Sequence, residues 1–188
     1  MAYEKLDFHI RGIAPLLMHN SRLSDPLDPI AQEMKSISAK RKKTDGDHAR
    51  LADLEWEGGI YTDDEGRLCM PGQNIEAALV AAAKLNRLGP KFKMGLLCEG
   101  LWPIEHEGPS DLKKLMADPN FRYRTSMKVQ QNRVMRTRPR IPSWELTFAI
   151  HYHPDVLTPS QVAQAMRECG EFIGLGDSRP RFGRFVVV

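Results

Sequence analysis

At 188 residues, 41% hydrophobic and 27% charged, the chain is long enough to bury a core but short for two independent domains of ordinary size. A formal net charge of +3 is too small to name a polyanionic partner by itself, so the placement of charge has to decide. No apolar run approaches the ~20 residues that cross a bilayer, and Cys69, Cys98 and Cys169 show no paired spacing, which excludes a disulfide framework and predicts reduced thiols in a cytoplasmic protein.

Lys5 to Gly12 alternates apolar and polar residues, with Leu6, Phe8 and Ile10 on one face, and predicts a first strand. An irregular connection follows to about Tyr61, with Pro15, Pro26 and Pro29 early in it. Within it, Asp28 to Leu54 is helical in pattern at Ile30, Met34, Ile37, Leu51 and Leu54, broken where turn residues cluster at Thr44-Asp-Gly46-Asp. Residues 13–60 are therefore expected as an insertion subdomain inside a single domain covering 1–188. Gly59 to Met70 predicts a hairpin turning at Asp64-Glu-Gly66, and Asn74 to Lys84 an alanine-rich helix burying Ile75, Leu79 and Ala82.

Lys91 to Pro103 predicts another strand pair or a hairpin, and Pro109 to Met116 a short helix. Arg124 to Val129 and Arg133 to Thr137 are strand-like, and Ser143 to His153 alternates as a strand. Thr158, Pro159 and Gln161 are the N-cap, N1 and N3 residues of a helix carrying Val162, Ala165, Met166 and Cys169. Phe182 to Val188 predicts the last strand. Without the insertion the order is βαββαβ, an α+β, ferredoxin-like (RRM-like) core of the kind whose open sheet often faces RNA.

Charge is unevenly spread. No acid lies between Asp118 and Glu145, while Arg122, Arg124, Lys128, Arg133, Arg136, Arg138 and Arg140 fall inside that span, so residues 118–142 are expected as a basic, thumb-like ribbon. Its Met127, together with Tyr123 and Phe182, could stack on or wedge between bases. Asp45 to Glu65 is mostly acidic, which suggests faces of opposite sign. The cluster Lys40-Arg-Lys-Lys43 reads as a solvated helical face. Near the C-terminus, Gly174, Gly176 and Gly183 alternate with Arg179, Arg181 and Arg184, a composition that offers backbone N–H groups and guanidinium forks to phosphate.

Three segments resemble the RAMP superfamily of CRISPR systems, in particular the backbone subunits that coat a guide RNA. Met70-Pro-Gly-Gln-Asn-Ile-Glu-Ala-Ala-Leu79 looks like that family's hairpin-to-helix junction, Gly174 to Arg184 like its glycine-rich loop, and a first strand followed by a long insertion like its plan. Nearly the whole chain is also similar to small proteins of phages and prophages, through Pro15-Leu-Leu-Met-His-Asn20, Lys40-Arg-Lys-Lys-Thr44, Arg133-Val-Met-Arg-Thr-Arg-Pro139 and Gly174 to Phe185.

The resemblance implies a cytoplasmic protein of a bacterial or phage-infected cell that binds single-stranded nucleic acid, RNA ahead of DNA, without sequence specificity. It also implies self-association head to tail along the strand, and the company of other subunits in a ribonucleoprotein complex. Two other functions stay open. Some RAMP endonucleases use a histidine after the first strand as general base, which would fall to His19, and other RAMP subunits place an acid in the insertion, here Asp25 or Asp28. A phage-encoded protein could instead grip a host defence complex. Binding is expected ahead of catalysis, with no cofactor, metal or membrane partner. His151 and His153 share a strand face but have no further ligand beside them in sequence.

Overall fold

The computed structural model describes residues 2–129 and 131–188. In chain order its strands and α-helices are β1 (Glu4–Gly12), β2 (Leu16–Leu17), α1 (Pro29–Ser38), α2 (Asp45–Glu57), β3 (Cys69–Pro71), α3 (Gly72–Ala83), α4 (Gly89–Gly95), β4 (Leu96–Leu97), β5 (Leu101–His106), α5 (Leu112–Ala117), β6 (Arg122–Val129), β7 (Asn132–Ile141), β8 (Trp144–Tyr152), α6 (Pro159–Glu168) and β9 (Phe185–Val187). The architecture is mixed α+β with antiparallel sheets. Two compact units share the chain: residues 1–16, 61–107 and 142–188 form the first, and residues 17–60 with 108–141 the second.

The first unit is built on the strand order β3-β5-β8-β1-β9, with β4 also pairing with β8. Alternation in β1 and β8 puts Phe8 opposite Phe148, Ile10 opposite Leu146 and Leu6 opposite Ile150 on one face. The Phe8 and Phe148 rings stack at 6.0 Å between centroids. Apolar faces of α3 (Ile75, Ala78, Leu79, Ala82) and α6 (Val162, Ala165, Met166) are buried, and the two helices touch. The expected start of α6 is present as a full capping box, in which Thr158 accepts the Gln161 N–H and Gln161 accepts the Thr158 N–H. The opposite face of β1 and β8 is polar. It carries Lys5, Asp7, His9 and Arg11 facing His151, Ala149, Thr147 and Glu145, with no Phe, Tyr or Trp in those registers.

One local expectation for this unit changes. Lys91 to Pro103 is not a strand pair: Pro90 in the first turn and the buried Phe92 favour a short helix, α4, before the chain extends into β4 and β5. The expected turn at 64–66 is present: Asp63 accepts the Glu65 and Arg67 N–H groups, and the Asp63 N–H donates to Arg67 O and the Cys69 N–H to Tyr61 O (both 3.0 Å) around a Thr62–Leu68 bridge, while β3 also pairs with β5.

In the second unit the connection between the two insertion helices holds the Lys40–Lys43 cluster, which lies between α1 and α2 rather than on a helix. Thr44 and Asp47 then form a capping box that starts α2. β6 and β7 pair in one long hairpin, Arg122 opposite Pro139 through Val129 opposite Asn132. The Met18 N–H donates to the Pro139 carbonyl (3.1 Å), and Trp56 of α2 donates its indole N–H to the Phe121 carbonyl (2.8 Å) in a buried setting.

Helix α3 can start where it does only because residue 72 is glycine: a Cβ there would lie 1.7 Å from the Cys98 carbonyl oxygen. That obstacle is backbone, which cannot swing aside. Gly72→Ala is therefore expected to lower unfolding stability by about 3 kcal/mol, the upper end for overpacked sites, whereas Gly46→Ala, whose nearest heavy atom is 3.7 Å away, should change it little; chemical denaturation of both variants checks this.

Candidate nucleic-acid interface

The basic run is not uniformly directed at solvent. Arg122 makes an ion pair with Asp53 of α2 (2.7 Å) and donates to the Met116 carbonyl. Arg136 pairs with Glu55 of α2 (2.7 Å), whose other carboxylate oxygen accepts the Thr137 N–H (2.6 Å). Arg138 is buried, and Arg140 donates to the Asn120 carbonyl (3.0 Å). These four arginines are engaged in holding the hairpin, a correction to the expectation that all seven cations face a ligand. Two acids of the 45–65 stretch, Asp53 and Glu55, are spent on these arginines at the base of the hairpin.

Arg124, Lys128 and Arg133 are exposed, and none meets a carboxylate among the described residues. Side chains alternate along a strand, and the register places these three on one face, with Arg124 opposite Thr137 and Lys128 directly opposite Arg133. Arg124 and Lys128 are about 14 Å apart by strand rise. Met135, opposite Ser126 on that same face, is 51% exposed. Tyr123 and Met127 lie on the other face and are half-buried, so Met135 replaces them as the outward apolar group. Arg124 stays exposed although Thr137 opposite it gives its N–H to Glu55, so a cation's role depends on whether an acid of α2 reaches it.

The C-terminal loop belongs to the first unit. Gly174, Gly176 and Gly183 all have positive φ (78°, 75° and 73°). At two of them the close approach that glycine permits is within the protein: a Cβ on Gly183 would lie 1.8 Å from the Leu175 carbonyl oxygen, and one on the buried Gly174 would lie 2.7 Å from that of Phe182. The Leu175 N–H donates to Gly183 O (2.8 Å), and the Gly183 N–H to Pro15 O (2.8 Å). Those two glycines thus close the loop rather than open it to a ligand. Arg179, Arg181 and Arg184 remain exposed, with the Arg181 guanidinium 5.8 Å from the centre of the Phe182 ring.

The catalytic candidates have structural work. Asp28 caps α1 by accepting the Ile30 and Ala31 N–H groups and pairs with Arg22. Desolvation pulls its carboxyl up, but Arg22 and the helix N–H groups together hold it below the ordinary value, which leaves an ionised acceptor rather than a proton donor. Asp25 accepts the Leu27 N–H (2.9 Å). His19 is exposed. Burial pushes the Cys69 thiol up to about 11 and those of Cys98 and Cys169 to about 12, so none is a thiolate nucleophile at neutral pH. His153 accepts the Asp155 N–H and meets the Tyr3 ring edge-on.

No protein-family model matches the chain, and no curated protein matches it.

Glu55 is invisible as a site residue in the sequence, one acid among many, yet its side chain is only 7% exposed and ties α2 to β7 through two bonds. Removing one partner of a buried, hydrogen-bonded pair costs about 3–5 kcal/mol, reduced here because Arg136 is 37% exposed. Glu55→Ala is expected to cost about 3 kcal/mol and to raise hydrogen exchange across β6 and β7, read by mass spectrometry.

Proposed function

We propose that this protein binds single-stranded nucleic acid, RNA in preference to DNA and without sequence specificity, through the exposed cations of the β6–β7 tip and of the C-terminal loop. Lys128 directly opposite Arg133 carries the reading. Like charges facing each other across a strand pair destabilise it, here by a few tenths of a kcal/mol. The nearest carboxylates are spent at the hairpin base, so a phosphate backbone is what would relieve the repulsion. Met135, exposed among these cations, offers an apolar surface to bases.

The polar face of β1 and β8 carries no Phe, Tyr or Trp in its paired registers, and of its two imidazoles His9 is bonded to Glu145, which gives little support to stacking on the sheet in the RRM manner. The strand order β5-β8-β1-β9, with α3 before β5 and α6 before β9, supports reading the first unit as a ferredoxin-like core. With the resemblance to RAMP backbone subunits, this favours copies following one another head to tail along the strand. The hairpin and the loop lie in different units, so each is tested alone.

Binding of labelled single-stranded RNA should weaken steeply with salt. Changing Arg124, Lys128 and Arg133 together to alanine should lower affinity by about tenfold or more and reduce the slope of log K against log salt by about 2, at ~0.7 for each phosphate left without its cation. The same variant should be as stable as the parent or slightly more so, because a cross-strand repulsion is gone. Absent binding by the parent, or an unchanged affinity and slope in the variant, refutes the proposal. Arg179→Ala with Arg181→Ala asks the same of the loop.

A further inference from the structure

Within the second unit a groove of about 430 Å³ opens between α2, the end of α1 and the inner part of the hairpin. Leu51, Ala52 and Val134 give it apolar walls, and Lys43, His48 and Arg124 stand among its lining. Its single carboxylate is Glu55, and both oxygens of that group are already occupied, one by Arg136 and one by the Thr137 N–H. The groove's other cations, Lys43 and Arg124, are therefore not neutralised from within it. Lys43 reaches only the Lys40 carbonyl (3.2 Å), an acceptor that leaves the ammonium's charge uncancelled.

Charge of one sign in a concave, partly apolar site attracts a counter-ion more strongly than the same charge on a flat surface. The volume falls in the ~300–1,000 Å³ range of small-molecule sites and is far more than a lone phosphate needs. A ligand that fits has an anionic end and a flat, largely apolar body. Two larger hollows in the first unit lack this combination: one mixes Glu76 with Lys84 and Lys93, and the other has Glu76 and Glu99 with no cation.

We infer that this groove is a subsite for one nucleotide, taking a nucleoside 5′-phosphate with its phosphate at Lys43, His48 and Arg124 and its base against Leu51 and Val134. The inference deepens the strand-binding reading and rests on it for the identity of the ligand. It also assigns a role to Lys43 and His48, which lie on the helical insertion and outside the basic ribbon.

Calorimetric titration of the full chain with 5′-AMP, adenosine and inorganic phosphate, each alone, separates the outcomes. AMP is expected to bind about tenfold or more tighter than either part. Lys43→Ala with His48→Ala should weaken AMP by about fivefold or more without lowering the melting temperature, since Lys43 is tied only to a carbonyl and His48 is exposed; Lys43→Glu should weaken it further. Phosphate binding as well as AMP, or AMP binding untouched in the double variant, overturns the subsite. An oligonucleotide that binds while AMP does not also overturns it and leaves strand binding standing. AMP bound by a protein that ignores oligonucleotides supports the subsite and removes strand binding.

Discussion

The second unit turns on one buried carboxylate. Glu55 sits on α2 with its charge withdrawn from water, a costly position unless every lone pair is used. It is used by a guanidinium from one residue of β7 and by the backbone N–H of the next. Because one of those bonds is to main chain, Glu55 fixes the register of β7 against α2 and not merely its proximity. Arg122 and Asp53 repeat the device on the neighbouring strand. With the base of the hairpin held this way, its tip projects cations that no carboxylate answers.

This division explains how a chain of modest net charge can present a strongly basic edge. Acids near arginines in space cancel them where the hairpin meets α2, and none follows the strands outward. The sequence span without acids is thus two different objects: a neutralised foot and an uncompensated tip. The C-terminal loop follows another logic. Its glycines are largely demanded by the backbone closing on itself, and what remains available is a short row of exposed arginines. Both regions combine hydrogen-bonded backbone with exposed cationic side chains, which suits a uniform ligand better than one read base by base.

Much of the fold is legible where a single period dominates. Alternation in 5–12 and 143–153 locates the two central strands, and the Thr158-Pro-Ser-Gln161 signature locates the start of α6 because its capping bonds are local. Legibility fails where partners are distant. Nothing near Cys69 says that it pairs with Pro103 as well as with Tyr61 before it, and Lys91 to Leu96 carries no period that separates a short helix from a strand. The interface shows the same limit. Composition finds the basic run, but the identity of the arginines that serve structure depends on Asp53 and Glu55, some 70 to 80 residues away in the chain. Lys43 and His48 are inconspicuous for the same reason: only folding brings them beside Arg124.

The pairing of β1 has a consequence for synthesis. Glu4 of that strand faces Tyr152, and Ile10 faces Val187, so β1 is synthesised well before either of the strands that flank it. At ordinary elongation rates the wait is on the order of ten seconds or more, during which Phe8 and Ile10 have no strand to cover them. Pairings of such long sequence separation also slow folding once the chain is free, since the loop must close before the pairing repays it. The first unit is thus completed only once β8 and β9 are available to it, and until then the chain depends on whatever shields β1.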